Sequence, residues 1–142
     1  MAFTNKKISE GILLEEKLFW DKESKKSLPG VSKIRKDNYF HKLKKKSIWW
    51  HKYTSPLKNK LILDVGCGTE DNYIPYFILS NNKVVAIDLS EQAIKINKSI
   101  LDKLGINAVI INPDNHKNVA QIFKKKKNLK AILAVANAEH LP

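Results

Sequence analysis

Two aspartates and two glycines stand out in this sequence because of their spacing. Asp64 lies near the end of one apolar run, and Asp88 ends the next. Gly66 and Gly68 follow the first run, where glycine lets the backbone turn tightly and approach a ligand with no Cβ in the way. A carboxylate about 20 residues further on, at the end of the neighbouring strand, can accept both hydroxyls of a ribose. The spacing therefore predicts that Asp88 binds a ribose; the alternative is that it only caps the helix after Ser90.

Strands and helices alternate in the part of the chain that must position these residues. Apolar runs predict buried strands, and Ser90 and Gly105 are of the types expected at the start and the end of a helix. This alternation is the repeating unit of a doubly wound α/β sheet. We therefore predict a Rossmann-like parallel sheet with strands at 61–65, 83–88, 108–111 and 131–136 and helices near 72–79, 91–104 and 118–127.

The sequence before residue 59 shows helical patterns and no alternation of strands and helices. We predict that residues 1–58 form an N-terminal helical segment and that residues 59–142 form the α/β part. Ser9 is the predicted N-cap of a first helix, which carries an apolar stripe of Ile12, Leu13, Leu18 and Phe19. A turn signal at 28–30 ends that helix, and a second helical pattern follows over 34–53.

The residues after the first strand distinguish two classes of ligand. Dinucleotide sites use the pattern G-x-G-x-x-G, in which the third glycine allows close packing of helix on strand. Here Asp71 stands at that third position, preceded by Glu70, and two carboxylates would repel a pyrophosphate. A ligand with a ribose and a cationic or zwitterionic centre fits better. S-adenosylmethionine has both and carries no phosphate, so NAD is the weaker hypothesis.

Three stretches in order resemble one family. Residues 61–69, LILDVGCGT, resemble the first motif of class I S-adenosylmethionine-dependent methyltransferases, where D-V-G-C-G-T-G is common. Residues 84–90, VVAIDLS, are similar to the second motif, whose acid binds the ribose. Residues 137–142, NAEHLP, resemble the third, often D-A-E-x-L-P-F, in the branch that methylates small molecules. The resemblance covers about residues 61–142.

The resemblance implies a cofactor-binding role for individual residues. Asp64 would hold the methionine end of S-adenosylmethionine, and Asp88 the ribose hydroxyls. The backbone of the glycine loop would line the methionine and the ribose, and Leu89 would pack on the adenine. Asn137 stands where the family has an aspartate that accepts from the adenine amino group, and a neutral amide does this more weakly. The implied cofactor-binding set is Asp64, Gly66, Cys67, Gly68, Asp88, Leu89, Asn137 and Ala138.

The resemblance also implies what this chain lacks. It ends before the family's fourth strand, so we expect the N-terminal, truncated part of such a domain, with weak or no methyl transfer on its own. Three family strands would lie in the order 3-2-1, which leaves strand 61–65 at an edge. Residues 105–129 would add an edge strand and a basic helix. An exposed apolar edge predicts self-association.

Composition limits the remaining hypotheses. The chain has 142 residues, a net charge of +12 and 43% hydrophobic residues, which indicates a globular and strongly basic protein. Cys67 is the only cysteine, so we expect no disulfide framework, no multi-cysteine zinc site and a reducing cytoplasmic location. No apolar run approaches the roughly 18 residues of a membrane span.

Several functions are compatible with these features. We expect a methyltransferase that acts on a small-molecule acceptor, a reaction that needs alignment more than acid or base catalysis. No catalytic residue and no metal ligand can be named from the sequence. The alternatives are an RNA methyltransferase that uses the lysines, and a remnant that binds the cofactor without catalysis. Arg35 is the only arginine, which favours solvated lysine faces over a specific nucleic-acid site.

Overall fold

The computed structural model describes residues 2–27, 29, 33, 56–69, 73–115 and 118–138. These ranges contain helix α1 (Ala2–Lys25), strand β1 (Leu61–Val65), helix α2 (Ile74–Leu79), strand β2 (Lys83–Asp88), helix α3 (Glu91–Lys103), strand β3 (Ala108–Ile111), a short 3-10 turn (Pro113–Asn115), helix α4 (Val119–Lys125) and strand β4 (Ala131–Val135). Every strand and helix predicted after residue 60 is present, with bounds that differ by no more than two residues.

The strands form one open sheet in the order β1-β2-β4-β3, and every pairing is parallel. The register places Val65 beside Ile87, and Asp88 beside Val135, so the carboxyl ends of the three strands meet at one edge. This confirms the predicted α/β class with a parallel sheet. It also confirms that β1 lies at an edge and that residues 105–129 contribute an edge strand, β3, and a basic helix, α4.

Helices cover both faces of the sheet. Helices α2 and α3 pack on one face, because each presents aliphatic and aromatic side chains on the side toward the strands. That cluster includes Ile74, Phe77, Val84, Ile94, Leu101 and Leu133. Helix α4 covers the opposite face, where Phe123 packs with Leu129 and Ile132. The two clusters sandwich the sheet, which is the arrangement expected of a doubly wound fold.

Strand β1 is uncovered on one face. Its inward residue Ile62 packs on the main core, whereas Leu61, Leu63 and Val65 are 56%, 58% and 48% exposed. The alternation follows from the two-residue period of a strand, with α4 placed over the other three strands and not over β1. In the part of the chain that the structure describes, β1 is therefore an edge strand with an exposed apolar face.

Helix α1 differs from its prediction. It begins at Ala2, so Ser9 lies inside the helix and is not its N-cap. No glycine or proline separates Ala2 from Ser9, and the lysines there are good helix formers, so nothing ends the helix earlier. The predicted apolar stripe is largely exposed, since Ile12 and Leu18 are 57% and 59% exposed. The contacts of α1 with the rest of the fold are instead polar and lie near its C-terminal end.

Several predictions fall outside the described residues. They are the second helix over 34–53, Glu70 and Asp71 of the glycine loop, and the end of the third motif after residue 138. The domain boundary near residue 58 stays a prediction. Among the helices that the structure describes, none is both long and apolar enough to cross a membrane.

Candidate functional site

A cleft of about 370 Å³ lies at the carboxyl ends of β1, β2 and β4, where ligands bind in open parallel sheets. Three loops and one face of α1 form its walls. It is lined by Trp20, Ser24, Val65, Gly66, Gly68, Ile87, Asp88, Leu89, Ala136, Asn137 and Ala138. Six of the eight residues predicted to bind a cofactor are in this lining, which brings the three sequence motifs together in space.

The glycine loop after β1 has the backbone shape that the sequence predicts. Gly66 and Gly68 have φ angles of 69° and 51°, in the left-handed region that other residues rarely adopt. The backbone N–H groups of Gly66 and Cys67 both donate to the carbonyl of Ile87, at 2.9 and 3.1 Å. The loop therefore turns sharply while it stays attached to β2, and it presents backbone to the cleft.

Asp88 connects the glycine loop with the start of α3. One carboxylate oxygen accepts from the backbone N–H of Gly68 at 2.8 Å, and the other accepts from the N–H of Ser90 at 2.8 Å. Ser90 in turn is the N-cap of α3, since its hydroxyl accepts from the N–H of Ala93 at 3.0 Å. A carboxylate offers about four lone pairs, so two are still available to a ligand. Both sequence interpretations of Asp88 are therefore compatible: it supports the helix start and lines the cleft.

Asn97, on α3, holds the glycine loop by hydrogen bonds from its side chain. Its side chain is fully buried, and its amide donates to the carbonyl of Gly68 at 2.7 Å and to Cys67 Sγ at 3.4 Å. A buried amide with strong partners holds a loop in one conformation, because leaving those polar groups unpaired would cost about 1–3 kcal/mol. Asn97 lies in the helix predicted near 91–104, but this role was not predicted. A polar residue on the apolar face of α3 was the available signal.

Asp64 and Cys67 are not among the residues that line the cleft, and their cofactor-binding role stays a prediction. Asp64 lies on the α3 side of β1, like Ile62, and the thiol of Cys67 packs against the main core. Burial raises the pKa of the Asp64 carboxyl, and the charge of Asp88 raises it further. Burial also raises the pKa of the Cys67 thiol, together with the charges of Asp88 and Asp64. Cys67 is therefore a protonated packing residue and not a nucleophile.

The loops after β2 and β4 form the opposite wall. The N–H of Ala136 donates to the carbonyl of Asp88 at 2.9 Å, which continues the pairing of β4 with β2 past the end of the strands. Leu89, Asn137 and Ala138 follow and line the cleft, and their contact with a cofactor stays a prediction. This wall is suited to a planar heteroaromatic ring. Leu89 and Ile87 offer apolar atoms for its face, and Asn137 and the backbone of Ala138 offer polar atoms for its edge.

Helix α1 supplies a wall that the sequence analysis missed. Trp20 and Ser24 line the cleft, and Trp20 is 51% exposed. Side chains of α1 and of the residues directly after it bond to the rest of the fold. The hydroxyls of Ser24 and Ser90 lie 3.4 Å apart, those of Ser27 and Thr69 lie 2.8 Å apart, and Asp21 accepts from the Ser90 hydroxyl at 2.6 Å. The short polar residues Asp21, Ser24 and Ser27 recur every three positions, which was the available signal for a polar docking face.

Asp21 acts as a second cap of α3. The carboxylate oxygen that accepts from Ser90 also accepts from the N–H of Gln92 at 3.1 Å. Burial by itself would raise the pKa of Asp21, but the hydrogen bonds from Ser90 and Gln92 and the charges of Lys17 and Lys25 outweigh it, so the pKa is lowered. A carboxylate at a helix N-terminus is also stabilised by the helix dipole. The start of α3 is thus capped by two side chains, Ser90 directly before the helix and Asp21 on α1.

Comparison with known proteins leaves the function to be argued from this geometry. No protein-family model matches the chain, and no curated protein matches it significantly. Within the described ranges, histidine, cysteine and acidic side chains form no group of three that could hold a metal ion.

Proposed function

We propose that the cleft binds S-adenosylmethionine and that the protein is a methyltransferase for a small-molecule acceptor. The observation that carries this proposal is Asp88, whose two carboxylate oxygens are oriented by Gly68 and Ser90 at the mouth of a glycine loop. The remaining lone pairs of this carboxylate can accept the two hydroxyls of a ribose.

The charge of the cleft supports this ligand over a dinucleotide. Among the described residues that line the cleft, none is basic and Asp88 is charged. Asp64 adds a second carboxyl close enough for the charge of Asp88 to raise its pKa. A pyrophosphate would meet repulsion here, whereas the sulfonium and ammonium groups of S-adenosylmethionine would be attracted.

Each wall of the cleft has a role under this proposal. Asp88 binds the ribose, and the backbone of Gly66 and Gly68 lies along the ribose and the methionine part. Leu89 and Ile87 pack on the adenine, and Asn137 with the Ala138 backbone pairs with its edge. Asp64 lies behind the loop and acts on the methionine ammonium by its charge or through water. Methyl transfer then needs only a nucleophile aligned with the sulfonium methyl group.

Calorimetric titration with S-adenosylhomocysteine tests the binding site. We expect saturable binding, no comparable binding of NAD, and loss of binding in Asp88→Ala. Asp114→Ala is the matched control, since it removes an exposed carboxylate from the turn after β3 that does not line the cleft. No binding by the folded chain, or equal losses in both variants, would contradict the proposal.

A second experiment tests methyl transfer itself. The chain is incubated with S-adenosylmethionine and fractions of a small-molecule extract, and formation of S-adenosylhomocysteine is followed for the wild type and for Asp88→Ala. We expect product that depends on both the fraction and Asp88. Cofactor binding with no product in any fraction would reduce the function to cofactor binding alone.

A further inference from the structure

Acidic residues and lysines of the α/β part are distributed unequally between the two ends of its strands, which we call the carboxyl edge and the amino edge. At the carboxyl edge, which carries the cleft, lie the acidic residues Asp64, Asp88, Glu91 and Asp114. Lys95, at the carboxyl edge, is paired with Glu91. At the opposite, amino edge lie Lys58, Lys60, Lys83, Lys130 and the lysines at 124–127. We call this set of lysines the basic edge. Asp102, at the end of α3, is the acidic residue described on that side, and it is paired with Lys98.

The topology explains why these lysines share one edge. Lys60 and Lys130 directly precede β1 and β4, and Lys83 begins β2. Hydrogen bonds join these positions across the sheet, since the N–H of Lys83 donates to the carbonyl of Lys60 at 2.9 Å and the N–H of Val84 to that of Lys130 at 3.0 Å. Helix α4 runs antiparallel to the strands, so the lysines at its C-terminal end return to the same edge.

Ordinary structural roles account for few of these lysines. Cations near the C-terminus of α4 are favoured by the helix dipole, which covers Lys124 and Lys125. Lys83 Nζ lies 5.0 Å from the centre of the Phe123 ring and makes a cation–π contact. The ion pairs found within the described residues join Lys26 with Glu23, Lys95 with Glu91, and Lys98 with Asp102, and none of them uses a lysine of the basic edge. Of the remaining lysines, Lys58, Lys60, Lys126 and Lys127 are exposed and Lys130 is half-buried, and none of them forms an ion pair with another described residue.

We propose that the basic edge binds the phosphate backbone of a nucleic acid. A duplex carries one negative charge per about 1.7 Å of its axis, and lysines that neutralise phosphates gain free energy by releasing counterions. Neighbouring strands lie about 4.8 Å apart, so the row of strand starts sets lysines along a line that a backbone can follow. Lysine is a point charge without the bidentate geometry that reads bases, so binding is independent of sequence. Phe123, the aromatic residue in contact with Lys83, is buried and offers no stacking surface, and the high charge density of a duplex makes a duplex the expected partner.

This surface is separate from the proposed cofactor cleft. Lys83 and Asp88 are the two ends of β2, so the edges lie about 16 Å apart at about 3.3 Å per residue. A nucleic acid on the basic edge is therefore a docking partner and does not place its bases in the cleft. Nucleic-acid binding at the basic edge does not depend on cofactor binding in the cleft, so each proposal can fail without the other.

The test is the salt dependence of binding to a mixed-sequence RNA duplex of about 20 base pairs, followed by fluorescence anisotropy. We expect the logarithm of the binding constant to fall with the logarithm of salt concentration with a slope of about −5, as for about six neutralised phosphates. Replacing the lysines at 124–127 by glutamine should reduce the magnitude of that slope by about three to four. The same variant should keep its S-adenosylhomocysteine affinity, and its thermal stability should fall only by the small helix-dipole contribution of Lys124 and Lys125.

A control of equal charge separates the basic edge from net charge. Lys17, Lys22, Lys25 and Lys26 lie in the C-terminal part of α1 or directly after it, where α1 contacts the start of α3 on the side of the cleft, and replacing them by glutamine also removes four charges. We expect this control to change the slope by less than about one. Equal effects of the two variants, or no binding at low salt, would overturn the proposal. Tighter binding of phosphatidylserine vesicles than of the duplex, lost in the 124–127 variant, would assign the edge to a membrane surface and would also overturn it.

Discussion

The carboxylate of Asp88 accepts a hydrogen bond from the backbone N–H of Gly68 at 2.8 Å, across a separation of 20 residues. The residue proposed to bind the ribose therefore also orders the loop that would lie along it. Replacing Asp88 by alanine removes both functions at once. Asp88→Asn keeps one oxygen and the size of the side chain, so a stable Asp88→Asn variant with weak ligand binding would separate recognition from loop support.

Alanine should lower the free energy of unfolding at either glycine of the loop and raise it at Gly11 of α1. An alanine at Gly68 or Gly66 meets no backbone atom closer than 4.0 Å, so the cost is the left-handed φ, about 1–2 kcal/mol. Gly11 lies in a helix with nothing near its missing Cβ, and Gly11→Ala should stabilise by about 0.5–1 kcal/mol. Denaturant unfolding measures all three. A stabilised Gly68→Ala would show that the loop does not have the described conformation.

Asn97 and Asn82 form a matched pair for testing whether the loop conformation matters to binding. Both are buried, and each holds backbone in place, Asn97 at the cleft and Asn82 at the amino edge, where it donates to the carbonyls of Leu57 and Phe77. Each alanine variant should lose about 1–3 kcal/mol of stability. Only Asn97→Ala should also weaken S-adenosylhomocysteine binding, by about tenfold or more. Equal affinity in both variants would mean that the cleft tolerates a loosened loop.

Asp64 should destabilise the folded state at neutral pH. Burial and the charge of Asp88 raise its pKa in the folded protein, so its contribution is most favourable below the ordinary pKa of 3.8 and is lost as pH rises through the folded pKa. Asp64→Asn should therefore raise Tm by a few degrees at neutral pH, and the difference should shrink toward acid pH. Thermal melts across pH measure this. A variant that melts lower than the wild type at neutral pH would contradict the assignment.

Asp21 should behave in the opposite way. Its pKa is lowered, so the stabilisation is present above the ordinary pKa of 3.8 and is lost as pH falls through the folded pKa. Asp21→Asn keeps an acceptor oxygen and removes the charge, so at neutral pH it should cost less than a lost helix cap, which is about 1 kcal/mol, and less still in acid. Glu15→Gln, on the exposed side of the same helix, is the control and should have little effect. Equal effects of the two would show that α1 is stabilised by charge in general and not by its contact with Ser90.

The sequence predicted the elements after residue 60 well because their signals are local. An apolar run bounded by glycine or asparagine fixes a buried strand, and Ser90 fixes the start of α3 through a bond to Ala93 three residues away. The left-handed glycines were predictable for the same reason. These features depend on a few neighbouring residues and need no knowledge of the tertiary structure.

The features that the sequence did not predict depend on distant contacts. Asp21 and Ser90 are 69 residues apart, and no local pattern indicates that they meet. The position of Asp64 behind the loop depends on which face of β1 meets α3, and a strand of five residues with apolar side chains on both faces does not reveal this. The prediction that Ser9 is an N-cap was wrong because α1 begins at Ala2 and continues through Ser9. The lysines before Ser9 have a high helix propensity, and this favours helix on both sides of it.

Within the α/β part, the carboxylates at the carboxyl edge and the lysines of the basic edge contribute an electric moment along the strands. In the field of a polyanion this moment exerts a torque that turns the amino edge forward before any contact forms. The cleft then points back into bulk solvent. A small ligand could therefore exchange freely while the chain is held, because the orientation that favours capture at one end keeps the other end unobstructed.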